Sequence, residues 1–309
     1  MKKILITSFL LLQSSFFLMA QQAPLVSHYM FNGLLINPAY AGSKEYVSAT
    51  LLYRKQWAGL DGAPVTYSGS VHGLFKKQKL GLGAFIQQDK IGVTKQTDAF
   101  ASAAYHLPVG DVGKLSVGLQ MGVTSFSSDV VQLTYWDPGD KVFDYNSFTS
   151  LLPNAGLGVY YYRPLFYAGL SAPYLLSYDA NQSGSVSSTK PVHHQDRRFY
   201  ATVGGVIESE YDVKFKPSLL VRSEGNTPLQ FDLNMNVLIN DIFWIGASYR
   251  SNDAIVALLE YQVNRKFRIG YSYDYTLSEI GNYNSGSHEV MLGYDFGYPV
   301  VKMKSPRYF

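Results

Sequence analysis

Fourteen segments of this chain alternate apolar and polar residues with a period of two, and that alternation sharply limits the folds open to it. It is cleanest late in the sequence. Leu229, Phe231, Leu233, Met235, Val237 and Ile239 interleave with Gln230, Asp232, Asn234, Asn236, Leu238 and Asn240. Phe267, Ile269, Tyr271, Tyr273 and Tyr275 interleave with Arg268, Gly270, Ser272 and Asp274. In the last such segment Val290, Leu292, Tyr294 and Phe296 face away from Glu289, Met291, Gly293 and Asp295. A strand with one apolar, aromatic face and one polar face suits the wall of a membrane β-barrel, with lipid outside and water inside. It also suits a soluble β-sandwich.

The spacing predicts strands at 46–57, 63–75, 79–89, 95–107, 113–127, 154–162, 165–173, 197–208, 212–222, 228–239, 241–250, 253–263, 265–275 and 287–297. The connections between them separate the two folds. Even-numbered ones are short: 76–78, 108–112, 163–164, 209–211, Asn240 and Asn264. Odd-numbered ones include the long excursions 128–153, 174–196 and 276–286, although 251–252 is short. Short turns at one end and long loops at the other are the outer-membrane arrangement, and an even strand count puts both chain ends on the short-turn, periplasmic side. The expected fold is therefore all-β, a transmembrane antiparallel barrel of about fourteen strands.

Export is the second constraint. Lys2-Lys3, an apolar stretch from Ile4 to Met19 and Ala20 before Gln21-Gln22 predict a signal peptide over residues 1–20. Beyond it no apolar run approaches the ~20 residues of a transmembrane helix. An exported chain of this kind stays soluble or spans lipid as a closed barrel, because unpaired backbone amides are too costly there. Composition agrees: 16% of residues are charged, below the ~25% usual in soluble domains. The chain also has 25 Tyr and 18 Phe, and the amphipathic Tyr ring suits a bilayer interface. It contains no cysteine, which rules out disulfides, thiolate metal sites and a lipoprotein anchor. The net charge of +3 falls to +1 without Lys2 and Lys3, and no basic run marks a nucleic-acid surface.

Chemistry-bearing motifs are sparse. His193-His194 near Asp196 sits in a polar, Ser-rich stretch and lacks a spaced third ligand, so it reads as a solvated pair. His72, His106 and His288 lie in or beside strands and read as lumen-facing, hydrogen-bonded histidines. No nucleophile elbow, acid–base pair or phosphate loop stands out. Gly81 and Gly83 fall inside a strand, where glycine lets a neighbouring chain approach closely. The expectation is a non-enzymatic protein with no metal or organic cofactor and no nucleic-acid or small-molecule partner.

The segment 21–43 is unusual because it holds no Asp, Glu, Lys or Arg, yet precedes the barrel. Leu25, Val26, Tyr29, Met30, Phe31, Leu34, Leu35, Ile36 and Tyr40 make it too apolar for a solvated tail. It is expected to bury itself in the barrel lumen or against a periplasmic partner. The chain then divides into a signal peptide at 1–20, a leader at 21–45 and the barrel at 46–309.

Specific motifs run through the mature chain in order. They are Y-M-F-N at 29–32, N-P-A-Y-A-G at 37–42, R-K-Q-W-A-G-L-D-G-A-P from Arg54 to Pro64 and D-K-I-G at 89–92. G-K-L-S-V-G-L at 113–119, G-Y-S-Y-D at 270–274, G-S-H-E-V-M-L at 286–292 and the terminal S-P-R-Y-F follow. As a set these resemble the PorP/SprF family of Bacteroidetes type IX secretion and gliding systems. The departures are small: Gly33 stands where the family often has Pro, and Ser305 where it often has Cys. The resemblance implies an integral outer-membrane protein without enzymatic activity. It would help secretion or surface attachment of cargo such as large adhesins, either as a core component or as an adhesin companion. Its partners would be membrane lipid and either secretion components or a large surface adhesin.

Two partner sites follow as expectations. One uses the leader, with Tyr29, Phe31, Asn37, Pro38 and Tyr40 as aromatic and turn anchors. The other lies on the loops around Trp57, Asp61, Pro64, Asp89 and Lys90; Trp57 also reads as an interfacial tryptophan, and Asp61 and Pro64 as turn residues. The rival reading is an outer-membrane porin or small-solute transporter, with Asp232, Asn234, Asn236, Arg268 and Asp274 lining its pore.

Overall fold

In a computed structural model the described residues are 26–297, apart from 45, 76, 78, 130–147, 179–194, 211 and 226. The predicted signal peptide, the first residues of the leader, His193-His194 and the terminal S-P-R-Y-F lie outside them. The strands are β1 (Val47–Lys55), β2 (Val65–Phe75), β3 (Leu80–Ile91), β4 (Thr94–Val109), β5 (Gly113–Ser128), β6 (Phe148–Arg163), β7 (Phe166–Tyr174) and β8 (Arg198–Gly205). They continue with β9 (Ile207–Glu208), β10 (Val213–Glu224), β11 (Gln230–Ile239), β12 (Phe243–Arg250), β13 (Ala254–Gln262), β14 (Phe267–Thr276) and β15 (Ser287–Phe296).

Each strand pairs antiparallel with the next, except that β8 pairs with β10 rather than β9, and β15 pairs with β1 from Val47↔Phe296 to Lys55↔His288. The sheet therefore closes on itself as a barrel. β8 and β9 both pair with β10 and occupy one wall position, so fifteen strands make a barrel of fourteen. The single predicted strand 197–208 is thus interrupted at Val206, a buried residue whose amide turns to the Leu165 carbonyl.

The outcome at β6 differs more. It starts at Phe148 rather than at the predicted residue 154, and pairs with β5 as far as Ser128↔Phe148. A proline ordinarily marks a strand end, since it cannot donate to a ladder. But β7 accompanies β6 only from Leu157, so Pro153 lies where β6 has an edge and proline is tolerated. A bulge at Ala172-Pro173 bends β7 away at that point.

The short turns work as expected. Asn240 and Asp241 both take positive φ, 53° and 55°, the pattern of a two-residue turn that matches strand twist. Outward positions carry the apolar alternation: Leu51, Leu119, Leu170, Leu233 and Ile245 are all exposed. Aromatic rings gather near both ends of the wall. Phe243 stacks on Tyr261 at the short-turn end, with centroids 4.9 Å apart, and Tyr53 meets Tyr67 at the long-loop end at 5.1 Å. A lipid-facing band between two aromatic girdles is the outer surface of a membrane barrel.

His288 departs from expectation. It sits on the outer face beside Val290, where its Nδ1 meets the Tyr271 hydroxyl at 2.7 Å. Its place in an alternating strand fixes that direction, since Glu289 next to it points inward.

Candidate functional site: a leader locked in the lumen

The leader is inside the barrel. Residues 26–44 descend the lumen in three short 3₁₀ turns, Ser27–Phe31, Gly33–Leu35 and Pro38–Tyr40. Ser27 lies level with the ends of β1, β12 and β14 and the start of β15, next to the long connections; Lys44 lies beside Ser48 and Asp295 at the short-turn end. A segment without its own ladder must find partners for its amides and carbonyls, and here the inward faces supply them.

At the long-loop end the leader is held by charge. Glu289 accepts the backbone amides of Ser27 and His28, both at 2.8 Å, and its Oε1 lies 2.6 Å from His28 Nδ1. Ser27 Oγ donates to Asp274 at 3.0 Å. Arg54 joins the two carboxylates, 2.7 Å from Asp274 and 3.4 Å from Glu289, while Arg250 bridges Asp274 and Asp232 at 3.2 and 3.1 Å. All of these side chains are buried, Arg54 and Arg250 at 1% exposure. Ions without water are tolerated only when paired and hydrogen-bonded, so each charge requires the others.

The middle of the leader is held by rings. Phe31 packs edge-on against Trp244 at 5.7 Å, and the Lys216 ammonium sits 5.0 Å from the Phe31 centroid and 5.6 Å from that of Trp244. A cation over two aromatic faces is attracted by both, more so when dry. Tyr29 accepts a hydrogen bond from Asn234 at 2.6 Å, and Asn236 reaches Met30 Sδ at 2.9 Å. Phe31→Ala is expected to lower barrel stability by about 3–5 kcal/mol, read as a shifted urea unfolding midpoint in detergent.

Toward the short-turn end, glycines make room. Asn37 caps the turn 38–40 by accepting from Ala39 N–H at 2.9 Å, and donates to the Val159 carbonyl at 3.1 Å. It sits against Gly158, where an added Cβ would lie 2.1 Å from its Oδ1. A Cβ on Gly118 would lie 2.3 Å from Ala39 N, and one on Gly81 would lie 2.0 Å from Ala41 O. The reading of Gly81 as a point of close chain approach is thereby explained, the approaching chain being the leader. Tyr40 meets His72 and Tyr160 edge-on. His72 accepts the Gly42 amide at 3.1 Å, and His106 Nε2 lies 2.8 Å from the Ala41 carbonyl. Below them Arg268 pairs with Asp295 at 2.7 Å.

The five leader residues expected as anchors, Tyr29, Phe31, Asn37, Pro38 and Tyr40, are all buried and turned to the lumen wall. The loop set is split. Trp57 and Asp61 lie on the 56–64 connection, Trp57 half-buried with its amide donating to Ser287 Oγ at 3.1 Å; Pro64 at its end is buried. Asp89 points inward, accepting from Thr66 at 2.5 Å, whereas Lys90 points out. Asp89 and Lys90 face opposite sides of the wall and cannot share one contact surface. Asp232, Asn234, Asn236, Arg268 and Asp274 face inward as the pore reading required. Three of them, Asn234, Asn236 and Asp274, bond directly to the leader.

The model of the PorP/SprF family, described as a type IX secretion system membrane protein, matches residues 18–294. This chain belongs to the PorP/SprF family. It is thereby a membrane component of type IX secretion, and its closed barrel makes it an outer-membrane protein. No curated protein matches this PorP/SprF chain. Among solved structures it is similar to the Acinetobacter baumannii outer membrane protein Omp33, at 8% identity and a TM-score of 0.45, covering 82% of this chain and 100% of that one. A monoaromatic hydrocarbon channel, CymD, is similar at 12% identity and a TM-score of 0.49, over 85% and 91% of the two chains. The KdgM porin with disordered oligogalacturonate is similar at 8% and 0.39, over 81% and 99%.

Proposed function

We propose that this PorP/SprF protein is a non-enzymatic secretion component that acts by protein–protein contact, aiding export or surface attachment of cargo such as a large adhesin. The observation carrying this reading is the occupied lumen. A diffusion pore needs a continuous water path, and here three of the polar residues that would line one, Asn234, Asn236 and Asp274, are bonded to the leader. With the leader anchors facing inward, contact with secretion components or cargo falls to the exposed connections at the long-loop end, including 56–64, and to the short-turn face.

Purification of the tagged protein from native outer membrane in mild detergent, followed by mass spectrometry, tests this reading. A very large surface protein or periplasmic ring components as companions support it. Finding no companion, together with steady single-channel conductance, sinks it in favour of a porin. Replacing both Tyr29 and Phe31 by Ala is expected to abolish secretion or partner retention by releasing the leader; normal secretion at normal protein levels counts against a role for the plug.

A further inference from the structure

Above the leader, at the long-loop end, lies a cavity of about 40 Å³. Its wall includes Val26 and Ile36 of the leader, Tyr174, Tyr200, Arg222 and Asp232. By this measure a water occupies about 10–15 Å³, so the space holds about three waters, or a carboxylate with the amide beside it and little more. Arg222 distinguishes it. This residue is 7% exposed, yet its Nε and Nη2 have no hydrogen-bond partner among the described residues. Its neighbours are otherwise engaged. Arg198 pairs with Glu224 at 2.7 Å and covers the Tyr174 ring at 4.2 Å, and Arg250 holds Asp232 through Oδ2.

The free atoms fit a specific ligand. Nε–H and one Nη2–H of a guanidinium form the side-on fork that two oxygens of a carboxylate fill together. Leaving such donors buried and unpaired is costly, so the fork favours an occupant that can accept from both atoms at once. Asp232 adds a second condition, because its Oδ1 is likewise buried and unpartnered. An acceptor beside an anion site repels a bare anion but suits one with an N–H donor next to it. A peptide C-terminus carries both, its carboxylate for Arg222 and its last amide N–H for Asp232.

We infer that this vestibule binds the C-terminal carboxylate of a peptide entering from the long-loop side. The inference deepens the partner reading and shares its premise that this end meets another protein. Its test is independent of secretion. The full chain in detergent is titrated by calorimetry with an N-acetylated dipeptide, with the same dipeptide as its C-terminal amide, and with acetate. The free acid is expected to bind at least tenfold tighter than the amide, and Arg222→Gln to abolish the difference. Because Arg222 Nε and Nη2 make no hydrogen bond among the described residues, that variant breaks none of theirs, and heat-modifiable migration on a gel checks its folding. Arg222→Lys, which keeps the charge without the fork, is expected to recover only part of the binding and serves if the Gln variant fails to fold. Equal binding of acid and amide, or full binding by either variant, overturns the inference, as does no binding at all. Acetate binding without the dipeptide also overturns it, pointing instead to a small free carboxylate. A protein that binds the free acid but recovers no companion would leave the site standing and the partner reading refuted.

Discussion

Gly118→Val is expected to turn a closed barrel into a conducting one. Gly118 faces the lumen in the middle of β5, where the leader backbone passes so closely that an added Cβ would meet Ala39 N at 2.3 Å and Ala39 Cα at 2.5 Å. Both atoms belong to backbone, which cannot swing aside as a long side chain can. The wall cannot retreat either, because β5 is paired along its length with β4 and β6. The leader must therefore withdraw from this level and take Asn37 and Tyr40 with it. Planar-bilayer recordings are expected to show little steady conductance for the native protein and clear conductance for the variant. Equal silence from a well-folded variant would mean that the leader adapts locally and that its fit at Gly118 is loose. Gly92 is a useful control, since a Cβ there meets nothing within 4 Å, although its φ of 55° adds a small backbone cost of its own.

The second large effect is expected at Arg54. Its guanidinium binds Asp274, Glu289 and Ser27, and both carboxylates are otherwise dry. Arg54→Ala leaves two buried anions short of a cation, and breaking one side of a buried pair costs about 3–5 kcal/mol. Arg250 still serves Asp274, so Glu289 suffers more. The expected readout is a lower urea midpoint for barrel unfolding, together with protease cleavage within 26–44. Arg54→Lys is expected to recover only part of the loss, because an ammonium cannot span two carboxylates and a serine as the planar fork does. If Arg54→Ala unfolds like the native chain, the cluster is an accident of packing.

Much of the wall was legible because lipid on one side and a filled polar interior on the other impose a strict period of two. Strand β11 shows why: every outward residue from Phe231 to Ile239 is apolar, and Asp232, Asn234 and Asn236 between them are buried polar residues. The expected and observed strands differ most at the start of β6, where Pro153 sits within a paired strand. His288 was misplaced for a different reason, since a polar ring on the outer face near a rim can sit at the interface and bond to Tyr271. The leader gave a clear signal that it must be buried, through its lack of charge, but none about where. The lock itself was invisible. Ser27 and Glu289 are 262 positions apart, and Arg54 and Asp274 are 220 apart. Alternation says that each inward polar residue faces the lumen, and says nothing about which of them meet. The unpartnered fork of Arg222 had no signature in the sequence at all.

The route of the leader through the lumen also bears on how the molecule can be made. The leader precedes β1 in the chain, yet its surroundings include β14 and β15, the last strands to be synthesised. A finished cylinder would offer only its narrow mouths for threading residues 26–44, against side chains that fit them closely. The wall must instead curl around its own beginning. Ser27 and His28 then stand at the meeting line of the first and last strands, where Glu289 of β15 holds both and Arg54 of β1 reaches Ser27. Assembly by that route ends in fastening the seam across a core already in place, so that the segment filling the lumen also tells its two ends when they have met.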